Sequence, residues 1–397
     1  QYMGKGPGKS PYFLRRAVAT TFDSFIYNMF KLPVARWTSP AAHYELPRSA
    51  IASAFVVFDE AHLYGGDPGA GDSTMFAAFL TAYRGLAERE NPIFVITATL
   101  PKSVLDKLDA YVVHAREEDG VDKCETRIKT HVVESVDLAK FRGRNVLVVS
   151  NTVEGAVRRY IEAREKLGGA LLIHGRYTAR DRREKEELLA KALEGGRYVV
   201  VATQVVEVGV DIDADVLVTE AAPLAQLVQR AGRVCRRVSK EGNCVRREWD
   251  ECVGATSYVL AASGQVYDQA LVEKTLNYLS EDFPWRAPWD YLDRVYDGVA
   301  VEEDRLAGEL LRLLDVSLWL TRIDAKKVAT VLCGFARDSV MVPAYVGRGD
   351  GSDVEDMAVP ISLNFYKVLQ KHVIGVVEDG KPKLGKLPGD ICQAIMA

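Results

Sequence analysis

The chain has 397 residues, of which 48% are hydrophobic and 27% charged, and its formal net charge is −4. A chain of this size is expected to fold around roughly two or three hydrophobic cores. No apolar run approaches membrane-spanning length, so we expect a cytoplasmic protein with no membrane partner. The slightly acidic net charge argues against a protein that coats nucleic acid nonspecifically, so nucleic acid would have to bind local Lys/Arg clusters and strand-end amides.

The first glycine-rich stretch, residues 4–10, is a candidate P-loop. A P-loop has the pattern G-x-x-x-x-G-K-[ST], in which backbone amides and the lysine bind phosphates. In this chain the first glycine of that pattern would fall on Met3, and only 50 positions separate Lys9 from Asp59. We therefore interpret residues 4–10 as a flexible loop and expect that the P-loop strand and helix of this domain are missing from the chain.

An apolar strand is predicted at 54–58, directly before Asp-Glu-Ala-His at 59–62. Carboxylates that follow a buried strand lie where α/β sheets bind their ligands. Asp59 could hold Mg²⁺ through water, and Glu60 could orient the water that attacks a γ-phosphate. The same four residues also occur in ordinary loops. A second predicted strand, 92–96, which ends in a Thr-Ala-Thr segment, favours the catalytic interpretation.

Strands and helices alternate in the middle of the chain, a pattern typical of βαβ units and a parallel sheet. The predicted strands are Asn145–Val149, Ala170–Ile173, Tyr198–Val201, Val216–Thr219 and Ser257–Leu260, and the predicted helices are 153–166 and 180–194.

The segment 200–236 is the most informative part of the sequence. A strand, a polar turn and a second strand lead into a predicted helix that carries Gln229, Arg233 and Arg236. Arg233 and Arg236 are three residues apart and would share one helical face. Two guanidinium groups on one face suit a phosphate tail, although a solvated basic face is the alternative.

These motifs resemble those of the superfamily 2 nucleic-acid motors, and within them those of the signature DNA helicase of type I CRISPR systems. The resemblance covers about residues 15 to 280 and rests on the segments 18–23, 59–62, 97–101, 149–152, 172–177, 181–182 and 200–236.

The resemblance implies an α/β fold with two RecA-like domains and an accessory region. The first domain (1–135) is expected to be incomplete and to lack the P-loop, the second spans 136–262, and a mixed α/β region spans 263–397. The family translocates on single-stranded DNA from 3′ to 5′, driven by ATP and Mg²⁺, and unwinds target DNA in antiviral interference. Its partners are a Cascade-like surveillance complex and an HD nuclease, which here would be a separate polypeptide or part of what is missing.

The family's functional residues map onto three sets of positions. ATP and its Mg²⁺ would be bound and hydrolysed with the help of Asp59, Glu60, Gly209, Asp211, Gln229, Arg233 and Arg236. Single-stranded DNA would contact Thr21, Asn151, Thr152, His174, Arg176, Thr203 and Gln204. Thr97 and Thr99 would couple the nucleotide to the other domain. Some of these residues have structural alternatives: Thr152 as a helix cap, and Arg176 as the partner of Asp181.

Two other functions remain open. The chain could be a superfamily 2 RNA helicase, or it could be a docking and strand-binding module without activity, which the missing P-loop favours for the isolated chain. The six cysteines form no C-x-x-C pair. We therefore expect buried thiols rather than a zinc site, with a disulfide as the alternative.

Overall fold

The fold is taken from a computed structural model. It describes residues 10, 12–30, 45–63, 73–113, 128–235, 239–241, 244–246, 256–261, 266–285, 288–297, 308, 312, 341–345, 354–362, 375–378 and 381–384.

The first unit, residues 10–113, is built on two parallel strands. The strands are β1 (Val56–Phe58) and β2 (Ile93–Val95), and the helices are α1 (Phe22–Met29), α2 (Glu45–Ala52), α3 (Ser73–Ala87) and α4 (Lys102–Leu105). Phe58 of β1 packs edge-on against Phe79 of α3, with ring centroids 5.2 Å apart. The strand and the long helix therefore share one core.

The opposite face of this small sheet is exposed. Phe55, Val57, Phe94 and Ile96 point to that face and expose about half of their surface. The rings of Phe55 and Phe94 lie 5.0 Å apart. Parallel sheets are normally covered on both faces, whereas the described part of this unit covers only one.

The second unit, residues 128–297, contains a six-stranded sheet in which every described pair is parallel. Its strands are β3 (Lys129–Val133), β4 (Val146–Val149), β5 (Leu171–Ile173), β6 (Val199–Ala202), β7 (Val216–Glu220) and β10 (Thr256–Leu260), in the spatial order β3-β10-β7-β4-β6-β5. The helices are α5 (Val153–Leu167), α6 (Ala179–Glu194), α7 (Leu224–Ala231), α8 (Gln269–Tyr278) and α9 (Trp289–Tyr296). The predicted βαβ alternation is confirmed.

Two hydrophobic layers cover this sheet, because side chains alternate across each strand. Leu147 and Val149 face a core shared with α7, α8 and α9. Val146 and Val148 face a second core shared with α5. Both faces of β4 are buried, as its uninterrupted apolar sequence predicts.

Strand β3 belongs to the second unit, whereas we predicted from the sequence that residues up to 135 belong to the first domain. It pairs with β10 along its whole length. Trp285 donates its indole N–H to the Thr130 hydroxyl at 2.8 Å, which ties this edge strand to the segment after α8. The second unit therefore begins before the predicted boundary at 136.

The remaining described strands form antiparallel hairpins. They are β8 (Ser239–Glu241) with β9 (Cys244–Arg246), β11 (Met341–Tyr345) with β12 (Ala358–Ser362), and β13 (Gly375–Glu378) with β14 (Lys381–Leu384). The Asp-Gly pair at 379–380 in the sequence predicts a hairpin near 374–384, and the pairing of β13 with β14 confirms it. A short helix, α10 (Val354–Met357), precedes β12. The sequence also predicts a helix around 302–314, which lies almost entirely outside the described residues. Among the described helices, none combines the length and apolarity needed to cross a membrane.

An ion pair is buried in the core of the second unit. Arg230 of α7 has no exposed surface, and its Nε donates to Glu207 Oε1 at 2.8 Å. Its Nη1 donates to the Thr219 hydroxyl at 2.8 Å and to the Glu220 carbonyl at 3.1 Å. Burial raises the pKa of the Glu207 carboxyl, and the nearby guanidinium opposes that shift.

His62 follows β1 in a single 3-10 turn, Ala61–Leu63. Only 10% of its side chain is exposed, and its Nδ1 lies 3.4 Å from Glu60 Oε2. Burial lowers the pKa of His62 to about 4, while the charge of Asp59 acts in the opposite direction. The ring is therefore neutral at pH 7.

The buried ion pair predicts a large loss of stability when one partner is removed. Arg230→Met leaves the Glu207 carboxylate buried without its counter-charge, which typically costs about 3–5 kcal/mol. Urea unfolding measures this loss. Lys166→Met, which removes an exposed ion pair with Asp137, is the control and should change stability little. A loss below about 1 kcal/mol for Arg230→Met would contradict the structural role of the pair.

The pKa of His62 predicts a pH-dependent stability. The folded state binds fewer protons than the unfolded state between pH 6.5 and 4, so stability falls as the pH is lowered through this range. The parent should lose roughly 3 kcal/mol more than His62→Gln between pH 7 and pH 4. Urea unfolding in EDTA at several pH values measures the difference, and parallel curves for the two proteins would contradict it.

Candidate nucleotide and nucleic-acid sites

The carboxyl edge of the six-stranded sheet gathers most of the predicted nucleic-acid residues. Val149 of β4 is in register with Ala202 of β6, and Ala202 with Ile173 of β5. The residues that follow these three positions are therefore neighbours at one edge, where α/β sheets bind ligands. They are Asn151, Thr152, His174, Thr203 and Gln204, with Arg176 two residues further on.

Asn151 is held inside the protein. Its side chain is buried and donates from Nδ2 to the Ala221 carbonyl at 2.8 Å. Its backbone N–H donates to Glu220 Oε2 at 2.7 Å. Asn151 therefore connects the ends of β4 and β7, so the predicted direct grip on DNA does not fit this position of its side chain.

Two of the predicted contact residues are helix caps. The Thr152 hydroxyl accepts from the Gly155 N–H at 3.0 Å at the start of α5, which is the structural alternative that the sequence left open. The Thr21 hydroxyl accepts from the Ser24 N–H at 3.4 Å at the start of α1. Thr21 lies in the first unit, away from the edge that gathers the other residues.

His174 lies in a small aromatic stack at the end of β5. Its ring lies 3.9 Å from that of Tyr177, with an angle of 15° between the ring planes. Its Nδ1 accepts from the backbone N–H of Arg176 at 3.1 Å. Burial lowers the pKa of His174, and the charges of Arg176 and Lys185 lower it further. The imidazole is thus held neutral and fixed in orientation.

The other three residues of this edge differ in their exposure. Arg176 is exposed, Gln204 is half-buried and Thr203 is buried. Gln204 donates from Nε2 to the Asn151 carbonyl at 2.9 Å. The edge therefore combines an exposed cation with polar turns that are hydrogen-bonded to one another.

Asp59 and Glu60 follow β1 at the carboxyl edge of the smaller sheet. Glu60 has φ of 52°, in the left-handed region that L-residues adopt at a cost. Asp59 Oδ1 accepts from the Glu60 N–H at 3.1 Å. Two carboxylates on a constrained turn fit a Mg²⁺ ion, which prefers oxygen ligands. The described residues contain no group of three or more His, Cys, Asp or Glu side chains that could hold a metal, so such an ion would need phosphate and water ligands.

Thr99 and Gln229 join the two units. Thr99 is buried, and Gln229 donates from Nε2 to its hydroxyl at 3.5 Å. The Thr97 hydroxyl accepts from the Thr99 N–H at 3.4 Å. The Lys102 N–H at the start of α4 donates to Asp293 Oδ1 of α9 at 2.8 Å, a second contact between the units.

The prediction for the arginine pair is wrong in its geometry. Helix α7 ends at Ala231, with Gly232 as its cap, so Arg233 lies beyond the helix. Only 7% of Arg233 is exposed, and its guanidinium donates to the Glu207 carbonyl. The chain turns there because the Ala214 N–H donates to the Arg233 carbonyl at 2.9 Å. Arg236 lies outside the described residues.

Gly209 and Asp211 lie in the connection between β6 and β7. Gly209 has φ of 76°, which favours glycine, and Asp211 is exposed. They belong to the second unit, whereas Asp59 belongs to the first.

The sequence interpretation missed Glu207, Arg230 and Tyr267. Arg230 lies next to Gln229 in a segment that was singled out for its other arginines, so the signal was present. Glu207 lies in the same segment, 200–236, but no role was predicted for it. The role of Tyr267 could not be predicted from the local sequence, because its hydrogen-bond partners, Gln204 and Arg230, are distant in the chain.

The cysteine prediction needs one correction. Cys235 is buried and takes part in a disulfide, so it is not the free thiol that was expected. The side chain of the partner cysteine lies outside the described part of the chain.

Residues 142–239 match the family model described as "CRISPR-associated nuclease/helicase Cas3, C-terminal". The CRISPR-associated helicase Cas3 of Thermoproteus tenax is 28% identical over 318 residues, which cover 75% of this chain and 52% of the relative. The chain thus spans about half the length of that relative.

Solved structures support the same relationship at the level of the fold. T. fusca Cas3 has a TM-score of 0.61 at 20% identity, covering 95% of this chain and 54% of the other. A chain of a CRISPR RNA-guided surveillance complex in a pre-nicking state has a TM-score of 0.54 at 20% identity, covering 88% and 53%. The predicted fold class, with RecA-like α/β domains, is confirmed. In sequence and in fold, the chain is thus similar to part of the CRISPR-associated Cas3 helicases.

Proposed function

We propose that the chain is the translocating part of a CRISPR-associated motor that moves on single-stranded DNA at the expense of ATP. The observation that carries this proposal is the shared carboxyl edge of β4, β5 and β6, where the exposed Arg176 lies beside polar turns. A phosphate backbone that runs along such an edge meets a cation, backbone amides and the start of α5.

The proposed role in ATP hydrolysis rests on Asp59 and Glu60 in the turn after β1. Asp59 would hold Mg²⁺ through water, and Glu60 would orient the attacking water. The bound Mg²⁺ would neutralise charge on the phosphates. Arg233 would contribute from the second unit only after its guanidinium leaves the Glu207 carbonyl, and we propose that closure of the units on ATP brings this about.

The contact between Thr99 and Gln229 connects the proposed nucleotide site of the first unit with helix α7 of the second unit. Thr99 follows the strand beside Asp59, and Gln229 precedes the buried Arg230. A shift of the Thr-Ala-Thr segment on hydrolysis would therefore act directly on α7. We propose that this contact makes and breaks during the cycle.

The proposed partners and direction are those that the family resemblance implies. We propose movement from 3′ to 5′, recruitment by an RNA-guided surveillance complex, and degradation of the displaced strand by an HD nuclease. The candidate P-loop at 4–10 lies outside the described residues except for Ser10. We expect the 397-residue chain alone to hydrolyse ATP poorly.

The function is tested by ATP hydrolysis in the presence of DNA and RNA homopolymers. The assay uses the protein from its complete reading frame beside the 397-residue chain. Stimulation by single-stranded DNA supports the proposal. Stronger stimulation by RNA would indicate an RNA helicase, and no hydrolysis by either protein would indicate a docking module. Hydrolysis by the 397-residue chain that is lost in Lys9→Ala would show that residues 4–10 form a P-loop.

Glu60→Gln should lower DNA-stimulated hydrolysis by at least about a hundredfold, because the amide cannot orient and activate the water. The matched control is Glu88→Gln, an exposed carboxylate at the end of α3, which should hydrolyse ATP like the parent. An unchanged rate in Glu60→Gln would show that Glu60 does not orient the water.

Arg176→Ala should weaken binding of the 397-residue chain to single-stranded DNA by a similar factor for every sequence, since phosphate contacts carry no sequence information. The slope of log K against log salt should flatten by about 0.7, the value for one lost contact on a single strand. Arg197→Ala is the control, because Arg197 is exposed at the opposite end of the sheet, before β6. A lower melting temperature with an unchanged salt slope would mean that Arg176 is structural, as its alternative pairing with Asp181 implies.

A further inference from the structure

Tyr267 lies between the end of β10 and the start of α8, outside every motif considered above. The next residue, Asp268, caps α8 by accepting from the Leu271 N–H at 2.9 Å. The ring of Tyr267 is half-buried against the core beneath α7 and α8. Its position is therefore fixed by the helix cap on one side and by the core on the other.

The hydroxyl of Tyr267 accepts hydrogen bonds from two side chains. Gln204 donates from Nε2 at 3.3 Å, and Arg230 donates from Nη2 at 3.3 Å. A phenolic oxygen has two acceptor lone pairs, so it can bind both donors at once. Both contacts are long for N–H···O bonds, so their strength is sensitive to small movements of either donor.

The two donors belong to different elements of the second unit. Gln204 also donates to the Asn151 carbonyl, which places it among the turns of the carboxyl edge. Arg230 binds the Glu207 carboxylate, and the backbone carbonyl of that same residue accepts from Arg233. One continuous path of hydrogen bonds therefore joins the strand-binding edge to the arginine of the nucleotide side.

The path transmits movement because its centre is buried. Arg230 has no exposed surface, and a buried guanidinium N–H that loses its acceptor pays the desolvation of a charged group. The cost of losing an acceptor thus keeps Arg230 bonded to the Tyr267 hydroxyl. If Arg230 moves away from Glu207, the Tyr267 hydroxyl moves with it and the hydrogen bond from Gln204 is lost. A strand that pulls on Gln204 acts on Arg230 through the Tyr267 oxygen, in addition to the backbone link in which the Gln204 carbonyl accepts from the Glu207 N–H at 3.0 Å.

We propose that Tyr267 is a positioning residue that couples the nucleic-acid edge to Arg230 and Arg233, so that a bound strand sets the arginine of the nucleotide side. This inference rests on the proposed function and adds to it a residue from outside the helicase motifs. Its effect is on coupling between sites, not on the folding of either one.

Tyr267→Phe tests the coupling because it removes the hydroxyl and keeps the ring. In the protein from the complete reading frame, the ratio of ATP hydrolysis with and without oligo-dT should fall about fivefold, the scale of one lost hydrogen bond. The melting temperature should stay within about 3 °C of the parent. Tyr278→Phe, at the far end of α8 beside Tyr291, is the matched control and should keep the parent's ratio.

Hydrogen exchange on the 397-residue chain gives a second readout that needs no ATP. Binding of dT20 should protect the amides of 150–155 and 203–206 in both parent and variant. Protection of 224–235 should appear in the parent and be lost in Tyr267→Phe. Gln204→Met breaks the same contact from the other side, together with the bond to the Asn151 carbonyl, so the losses of coupling in the two variants should not add.

The outcomes separate this proposal from the proposed function. A parent that is stimulated by DNA, with an equal ratio in Tyr267→Phe, would overturn the coupling role and leave the motor standing. An equal loss in Tyr278→Phe would also overturn it, since the effect would not be specific to the shared hydroxyl. A parent with no response to DNA, in hydrolysis or in exchange, would overturn both.

Discussion

The buried guanidinium of Arg230 is the constraint on which the second unit depends. A charge without exposed surface must satisfy its N–H groups inside the protein, and Arg230 does so with the Glu207 carboxylate, the end of β7 and Tyr267. These partners come from three separate parts of the chain. Their positions are therefore interdependent. The network also holds the turns of the carboxyl edge in fixed positions. Replacing the network with apolar residues could stabilise the unit, but it would also cut the path between its two sides.

The polar residues around Arg230 fall into two groups: buried residues that hold turns together and exposed residues that can contact a ligand. Asn151 and Thr203 are buried and connect turns, whereas Arg176 is exposed at the same edge. The smaller sheet has a comparable arrangement, since Glu60 adopts a left-handed backbone conformation beside Asp59. Strain of this kind persists where the surrounding structure enforces it, often at functional sites. In both units, the residues proposed to bind ligands thus lie on turns that the core holds in place.

The strands were predictable where burial leaves a mark on composition. Val-Leu-Val-Val at 146–149 is buried on both faces and contains only apolar residues. Strand β3 escaped prediction because an edge strand has one open side, and its sequence begins with Lys-Thr-His. The helix with Arg233 on its surface was predicted wrongly, because helical spacing cannot show that Gly232 caps α7 and that the next residue pairs with Ala214.

By itself, the sequence determined the parallel α/β fold, the resemblance to Cas3 helicases, and the carboxyl-edge location of Asn151, His174 and Gln204, because strand periodicity and motif order are local properties. Tertiary structure alone decided what those side chains do. It turned Asn151 inward to the end of β7, buried Arg233 against the Glu207 carbonyl, and brought Tyr267 to Gln204 and Arg230. The physical reason is that a buried polar group must find a partner wherever the fold offers one, and that partner is usually far away in the chain.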